Sequence, residues 1–258
     1  MSIEVRPLSG EVGAVASGMD LGAPLDSETV GAIHKALLDH LVLIFYDQPL
    51  TEEKHIALAR HFGEIQPPPV KTHYDDNPQL HVLDQTSPKG EGADNWHTDH
   101  TYTAEPAMGA ILRVVEIPST GGDTLIGSMY AAYDALSEPM RRMLDGRTAG
   151  HDVSKSVRRG IRSGHLKAKL SDFQKRLPPV THPVVRTHPE TGRKCLFVNS
   201  NSTVRIHELE EDESQNILQF LFHHVQKPEF QVRHRWEKDS VVFFDNRCTQ
   251  HYAVPDYA

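Results

Sequence analysis

The sequence has few cysteines, no dominant block of basic residues and no long apolar run. Only Cys195 and Cys248 occur among the 258 residues, and they do not form a C-x-x-C motif. This scarcity excludes a disulfide-rich secreted module and a cysteine-based structural zinc site. With 27 Lys and Arg against 35 Asp and Glu, the formal net charge is −8. Duplex DNA or RNA is therefore not an expected partner.

Signals for export or for membrane insertion are also missing. The residues after Met1 lack the basic and then apolar layout of a signal peptide. No apolar stretch approaches the roughly 18 residues that a transmembrane helix needs. We expect a cytoplasmic protein that has no membrane partner.

Apolar patterning predicts a mainly β protein with flanking helices. Asp26 or Ser27 and then Thr51 can cap two helices, with an apolar strand at 41–46 between them. Further along, one helix is predicted at about 212–226, and strands at 80–83, 110–117, 182–187, 195–199, 230–236 and 241–245. The pattern predicts one domain over residues 1–258 with a mostly antiparallel core. A stretch at 154–179, rich in Lys and Arg and poor in apolar periodicity, is predicted to be a mobile loop or lid.

Several common catalytic motifs are absent from the sequence. It has no phosphate-binding G-x-x-x-x-G-K-[ST], no G-x-S-x-G and no H-E-x-x-H. What remains is an unusual number of histidines, 17 in all. Histidine is the commonest protein ligand for metal ions, so we searched for spacings that suit a metal.

The candidate spacing is His-x-Asp. On a strand, residues i and i+2 project from one face, so this pair can offer an imidazole and a carboxylate to one ion. A third ligand completes a two-His-one-carboxylate set that suits non-haem Fe(II) chemistry. The motif occurs twice, at His73 and at His97, which is too close to the chance expectation for the count to decide. The first of these runs into a turn-like Asp-Asn-Pro. His97 could equally be an ordinary surface histidine. If it and Asp99 are ligands, the third candidate is His251, just after an apolar strand, although any of the other histidines could be argued similarly.

Several motifs, in a fixed order along the chain, favour the metal-ligand interpretation of these residues. They are Asn-Trp-His-Thr-Asp at 95–99, Gly-Gly-Asp-Thr at 121–124, Asp-Asn-Arg at 245–247 and Gln-His-Tyr at 250–252, together with His-Phe-Gly-Glu at 61–64 and His-Pro-Val-Val-Arg-Thr-His-Pro at 182–189. Over nearly its whole length the chain thus resembles the taurine dioxygenase family of Fe(II)- and 2-oxoglutarate-dependent oxygenases, which includes alkylsulfatases and phenoxyalkanoate dioxygenases.

The resemblance implies a double-stranded β-helix (jelly-roll) core and a defined set of site residues. His97, Asp99 and His251 correspond to the iron ligands, and Thr124 to a residue whose hydroxyl binds a carboxylate of 2-oxoglutarate. The implied reaction consumes 2-oxoglutarate and O2, releases succinate and CO2, and hydroxylates the substrate. If the hydroxylated carbon bears a sulfonate, sulfate or aryloxy group, the product breaks apart. The family is often dimeric or tetrameric, so a homo-oligomer is expected.

Two departures from the family pattern bear on the site. The family has an Arg about eleven residues after the distal histidine, near position 262 here, where its fork of donors binds the far carboxylate of 2-oxoglutarate. We expect a further C-terminal strand that carries this Arg. In addition, Pro68 and Lys71 stand where taurine hydroxylases have His and Tyr, Ala93 replaces an Asn, and Ser202 an aromatic residue. Taurine is therefore not the expected substrate.

Lys71 and Tyr102 are candidates for binding the substrate. Lys71 could hold an anionic group as a point charge, and Tyr102 could line the pocket. An exposed loop lysine and an ordinary core aromatic are the corresponding structural alternatives.

The sequence thus predicts a dioxygenase that hydroxylates a small anionic organic molecule: a sulfonate, a sulfate ester or an aryloxyalkanoate. The alternatives are a biosynthetic hydroxylase of an amino acid or acyl substrate, a non-catalytic jelly-roll binding protein, and a zinc hydrolase that uses the same three ligands.

Overall fold

The computed structural model describes residues 3–66, 77, 79–83, 95–162 and 169–257. Its helices are α1 Ser27–His40, α2 Glu52–Arg60, α3 Met129–Asp134, α4 Glu138–Leu144, α5 Ser154–Arg162, α6 Leu170–Arg176 and α7 Glu211–His224. Its strands are β1 Glu4–Pro7, β2 Ala14–Ser17, β3 Val42–Phe45, β4 Gly109–Arg113, β5 Thr124–Ser128, β6 Thr148–His151, β7 Val180–Pro183, β8 Val185–Thr187, β9 Lys194–Leu196, β10 Thr203–Ile206, β11 Gln231–His234, β12 Val241–Asp245 and β13 Thr249–Ala253.

The largest sheet has five strands in the order β1-β2-β3-β12-β4. Its central strands β3 and β12 are buried along their whole length. Ile44 and Phe244 project from one face into the main apolar core, whereas Leu43 and Phe243 project from the other face toward α1. Burial on both faces explains why these strands read as continuous apolar runs in the sequence.

A second sheet, in the order β11-β5-β13, faces the main core from the opposite side. Ile126 of β5 and Val232 of β11 share the main apolar cluster with the inner residues of β3 and β12. Two small sheets, β10-β6-β7 and the hairpin β8-β9, complete the strand-rich part. The predicted fold class, mainly β with flanking helices around a jelly-roll core, is confirmed.

Local chemistry sets the helix starts as the sequence predicts. The Asp26 carboxylate accepts a hydrogen bond from the backbone N–H of Thr29, and the Thr51 hydroxyl accepts one from that of Lys54. Each of these bonds satisfies an N–H that has no partner within its helix.

Three predictions about local structure were wrong. Residues 80–83 form no strand. The predicted strand 182–187 is two strands, because Val184 between them bonds through its backbone to Arg147 and Phe197. The stretch 154–179, predicted as a mobile loop or lid, is not a loop, because it carries α5 and α6; residues 163–168 lie outside the described part. Val157 and Phe173 anchor these two helices in a small apolar cluster of their own.

In the described ranges, no helix has the length and apolar character that crossing a membrane requires.

Candidate functional site

His97 and His251 form an isolated two-residue bridge between distant parts of the chain. The backbone N–H of His97 donates to the carbonyl of His251 at 3.0 Å, and that of His251 donates back at 2.8 Å. Residues paired in this antiparallel way project their side chains from the same face. Their ring centroids accordingly lie only 4.1 Å apart.

Asp99 brings a carboxylate to the same point. Its Oδ1 lies 3.5 Å from Nε2 of His97 and 3.8 Å from Nε2 of His251. One ligand atom from each of the three residues lies within 4.8 Å of the others. The Asp99 side chain keeps 32 % of its surface exposed, against 13 % for each histidine, so the site opens on the carboxylate side.

The rule that residues i and i+2 of a strand share one face applies to His97 but not to Asp99. His97 is in extended backbone, whereas Asp99 lies in a turn, followed by His100 in the left-handed region at φ 53°. The Asn246 amide holds this turn, because its Oδ1 accepts from the backbone N–H of Asp99 at 2.8 Å and its Nδ2 donates to the Asp99 carbonyl at 3.0 Å. A side chain 147 residues away thus fixes the Asp99 backbone.

Hydrogen bonding also fixes which nitrogen of His97 is free. Nδ1 lies 2.7 Å from the carbonyl oxygen of Asn95, which can only accept. Nδ1 therefore carries the proton, and the lone pair of Nε2 points toward Asp99, as a metal ligand requires. In His251, Nδ1 is buried and has no hydrogen-bond partner in the described structure, while Nε2 faces the same point. The donor set of two imidazole nitrogens and one carboxylate fits Fe(II).

Electrostatics give Asp99 and His251 the charge states that a divalent cation needs, while His97 attracts a proton that the cation would replace. Burial raises the pKa of Asp99, but the His251 and His97 rings more than offset this and hold it well below its usual range. Burial and the neighbouring His97 lower the pKa of His251 to about 4, so that ring is neutral at pH 7. Burial lowers the pKa of His97, but the Asp99 carboxylate and the Asn95 carbonyl together raise it to a greater extent, so the net shift is upward. A bound cation would take the place of the proton that these two groups attract.

A second group of possible ligands, His188, Asp245 and Cys248, is fully buried. Here Nδ1 of His188 accepts from the backbone N–H groups of Glu190 and Thr191, so Nε2 carries the proton and donates to Asp245 at 3.1 Å.

The Asp245 carboxylate in this second group has no free lone pair. Its Oδ1 accepts from the backbone N–H and Nε of Arg247, and its Oδ2 accepts from Nη2 of Arg247 as well as from His188. With its acceptors used and a guanidinium beside it, this cluster does not fit a cation.

Thr124 begins β5, directly after a tight turn. Gly121 and Gly122 both have positive φ, 75° and 73°, and a Cβ on Gly121 would lie 2.4 Å from the carbonyl oxygen of Asp256. Only glycine fits this turn. Thr124 pairs with Ala253, and His251 pairs with Ile126 on the same two strands. With a side-chain period of two, Thr124 and His251 lie on one face as diagonal neighbours.

The two candidate substrate residues differ in what can be said of them. Tyr102 packs against the cluster of Val153, Val157 and Phe173, and its ring centroid lies 5.7 Å from that of His100. Burial raises its pKa above the usual range, so it stays a neutral phenol. Lys71 lies outside the described residues, as do Pro68 and Ala93.

Sequence reasoning missed three residues that shape the site: the backbone carbonyl of Asn95, the amide of Asn246 and the indole of Trp236, which donates to Thr124 Oγ1 at 3.0 Å. The two asparagines lie within the motifs quoted for the family resemblance, so their sequence positions could have identified them as site residues. Their hydrogen bonds could not be read from the sequence.

Comparisons with known proteins agree with this geometry. A family model described as "Taurine catabolism dioxygenase TauD, TfdA family" matches residues 4–258. The alpha-ketoglutarate-dependent sulfate ester dioxygenase of Pseudomonas putida is 35% identical over 100% of this chain and 86% of its own length. The alkylsulfatase of Acinetobacter baylyi is 36% identical over 99% and 81%.

The chain is also similar to a relative whose structure was solved with a metal ion and a ligand. The crystal structure of AAD-2 in complex with Mn(II) and N-oxalylglycine has a TM-score of 0.84 and 29% identity, over 100% of this chain and 92% of that one. The chain is an oxidoreductase of the 2-oxoglutarate-dependent dioxygenase class, which uses Fe(II), 2-oxoglutarate and O2. It belongs to the TauD/TfdA family of dioxygenases.

Proposed function

We propose that His97, Asp99 and His251 bind Fe(II), that the Thr124 hydroxyl binds a carboxylate of 2-oxoglutarate, and that the substrate is a small organic anion. The observation that carries this proposal is the convergence of two imidazole Nε2 atoms and Asp99 Oδ1 on one point with an open side. Such a set leaves coordination positions for a co-substrate and for O2.

Each residue has a definite task in this scheme. When bound, Fe(II) supplies O2 activation coupled to the oxidative decarboxylation of 2-oxoglutarate. His97, oriented by the Asn95 carbonyl, donates its Nε2 lone pair, and the neutral His251 donates its own. Asp99 contributes the anionic ligand from a turn held by Asn246.

A sulfate ester is the substrate class that we favour. The named activities of the Pseudomonas putida and Acinetobacter baylyi relatives support it. Hydroxylation of the carbon that bears the sulfate would give an unstable product that breaks into an aldehyde and sulfate. One oxygen atom of O2 would enter this hydroxyl group, and the other the succinate that forms from 2-oxoglutarate with loss of CO2. Positive charge near the site also favours an anion, since Arg159 of α5 lies beside Asn95 and its charge opposes the net rise in the pKa of His97.

The segment with α5 and α6 is the candidate lid. It contributes Val157 and Phe173 to the cluster that contacts Tyr102, three residues after Asp99. Closure over the substrate should protect this segment from limited proteolysis when Fe(II), 2-oxoglutarate and the sulfate ester are all added. Cleavage at an unchanged rate would remove the lid from the proposal.

Three expectations from the sequence accompany the proposal: one domain over residues 1–258, a cytoplasmic location and a homo-oligomeric state. Light scattering of the purified protein tests the last of them, since a single species with the monomer mass would contradict it.

The substrate class is tested by product stoichiometry. A medium-chain alkyl sulfate, taurine and a phenoxyacetate should each be supplied with Fe(II), 2-oxoglutarate and O2, and succinate, sulfate, sulfite and phenol measured. We expect equal amounts of succinate and sulfate from the alkyl sulfate, and little turnover of taurine. His97→Ala should abolish both products, whereas His223→Ala, an exposed histidine of α7, should not. Sulfate release without O2 or without succinate would contradict a dioxygenase and favour a hydrolase.

A further inference from the structure

The hydroxyl of Thr124 is held by a tryptophan that lies two residues beyond the end of β11. Nε1 of Trp236 lies 3.0 Å from Thr124 Oγ1. An indole N–H can only donate, so the hydroxyl oxygen must be the acceptor in this bond. A threonine hydroxyl has a single proton, and the bond with Trp236 leaves that proton available for another acceptor. Among the described residues, the hydroxyl donates to no protein group.

The direction left open to that proton follows from the strand register. Thr124 pairs with His234 on one side and with Ala253 on the other. Ile126, which pairs with His251, is two residues further along β5. The Thr124 hydroxyl therefore lies on the sheet face that carries His251, one diagonal step away along the strands. This face is where a co-substrate that binds both the metal and Thr124 must lie.

The indole itself is fixed by His234. Residues 234 and 236 are i and i+2, and their rings meet edge to face with centroids 4.7 Å apart. His234 is buried, and its Nε2 has no hydrogen-bond partner in the described ranges. Burial lowers the pKa of His234 to about 4, so the ring packs against Trp236 as a neutral group at pH 7. An indole held in this way has little freedom to turn its N–H away from Thr124.

We propose that Trp236 is a positioning residue for 2-oxoglutarate: its indole N–H occupies an acceptor site of the Thr124 hydroxyl and directs the hydroxyl proton toward the carboxylate of the co-substrate. The inference rests on the function proposed above for Thr124. Trp236 does not touch the reacting atoms in this scheme. It acts by removing the alternative orientations of the hydroxyl before 2-oxoglutarate arrives.

The test uses Trp236→Phe, which keeps an aromatic ring and removes the N–H. Dissociation constants for Mn(II) alone, and for N-oxalylglycine on the Mn(II)-loaded protein, are measured by calorimetry. We expect N-oxalylglycine to bind about three- to tenfold more weakly, the effect of one lost hydrogen bond. The affinity for Mn(II) should stay unchanged. N-oxalylglycine affinity equal to that of the wild type would overturn the inference.

A double-mutant cycle separates positioning from general damage. If Trp236 acts through the hydroxyl, Trp236→Phe should add no further loss of N-oxalylglycine affinity in a Thr124→Val chain. In a Thr124→Ser chain, which keeps the hydroxyl, it should cost the same factor as in the wild type. Additive losses in the valine background would show that Trp236 acts independently of Thr124, which contradicts the inference.

A spectroscopic readout covers the case in which Trp236→Phe does not fold. The chain has two tryptophans, Trp96 and Trp236, so 5-fluorotryptophan labelling gives two fluorine resonances. Trp96→Phe assigns them by elimination. N-oxalylglycine added to the Zn(II)-loaded protein should shift the Trp236 resonance, and saturating ligand without that shift would overturn the inference. If the metal-loaded wild type does not bind N-oxalylglycine at all, the proposed function fails, and the inference fails with it.

Discussion

Two clusters of the same residue types lie in this molecule, and only one of them is suited to a metal. In the open cluster, His97, Asp99 and His251 converge with their lone pairs directed at one point; the closed cluster consists of His188, Asp245 and Cys248. His188 and Asp245 lie as close together, but the histidine Nε2 carries a proton and all acceptors of the carboxylate are used. The two histidines differ in the partner of Nδ1. In His97 it bonds a carbonyl oxygen and therefore carries the proton, whereas in His188 it accepts from backbone N–H groups and the proton is on Nε2.

The comparison shows that composition and proximity do not define a metal site. What defines it is the hydrogen bonding around the candidate ligands, since this decides whether a lone pair is available. The open cluster has the lone pairs that the proposed metal site needs. In the closed cluster, Asp245 and Arg247 bond to each other and secure the turn between β12 and β13. Substitutions in the open cluster should therefore lower activity, and substitutions in the closed cluster should lower the free energy of unfolding.

The largest expected effect is on activity, in the open cluster. His251→Ala should lower turnover by more than about a hundredfold, because a ligand of the metal is lost. Thermal stability should change little, since the buried Nδ1 of His251 has no hydrogen-bond partner in the described structure. Succinate formation and a melting curve measure the two quantities. A variant with wild-type turnover would remove His251 from the ligand set.

The next largest effect is on stability, in the closed cluster. Asp245→Ala leaves the buried guanidinium of Arg247 without its main partner and should destabilise the fold by about 3–5 kcal/mol. Urea unfolding measures this free energy. Asp134→Ala, which removes an exposed ion pair with Arg193, is the matched control and should cost less than about 1 kcal/mol. Equal effects of the two substitutions would contradict a structural role for the closed cluster.

A smaller effect, on metal affinity, is expected at Asn246. This residue follows Asp245 of the closed cluster in the sequence, and its side chain bonds the backbone of Asp99 in the open cluster. Asn246→Ala frees the backbone of Asp99 and should weaken Fe(II) or Mn(II) binding about tenfold or more, as losses of groups that orient ligands do. Calorimetry with Mn(II) measures this change. Asn216→Ala, on the exposed face of α7, should leave Mn(II) affinity unchanged. If Asn246→Ala binds Mn(II) like the wild type, the turn at Asp99 does not need the clamp.

The smallest effect is expected at Cys248. Its thiol lies 3.9 Å from the Asp245 carbonyl oxygen and also interacts with the Tyr130 hydroxyl, and both contacts are weak. Cys248→Ala should cost about 1 kcal/mol of stability and leave the metal stoichiometry at about one ion per chain. Metal analysis after dialysis checks the ratio. A second ion bound by the wild type and lost in this variant would show that the closed cluster does bind metal.

Parts of this structure could be predicted from the sequence because their causes are local. The apolar runs of β3 and β12 reflect burial on both faces, and the caps Asp26 and Thr51 form bonds within three residues. The three candidate ligands were found through the order of motifs and not through geometry, because the strand rule does not cover an Asp99 that lies in a turn.

Other parts depend on distant contacts and could not be predicted. Helix α5 has only two apolar side chains, Val157 and Ile161, one turn apart. Only Val157 is buried, and its packing depends on Phe173 of α6. Strand β5 is short, and its partners β11 and β13 lie more than 100 residues away. The bond from Trp236 to Thr124 spans 112 residues, and no spacing rule indicates it.

The central claim is that the open cluster binds Fe(II) and 2-oxoglutarate together, and anaerobic visible absorption tests it most directly. Fe(II) is added first and 2-oxoglutarate second, to the wild type, to His251→Ala and to Cys248→Ala. The account predicts a charge-transfer band that needs both additions, is absent in His251→Ala and is retained in Cys248→Ala. A folded wild type that binds Fe(II) without developing the band, or a band that persists in His251→Ala, would contradict it.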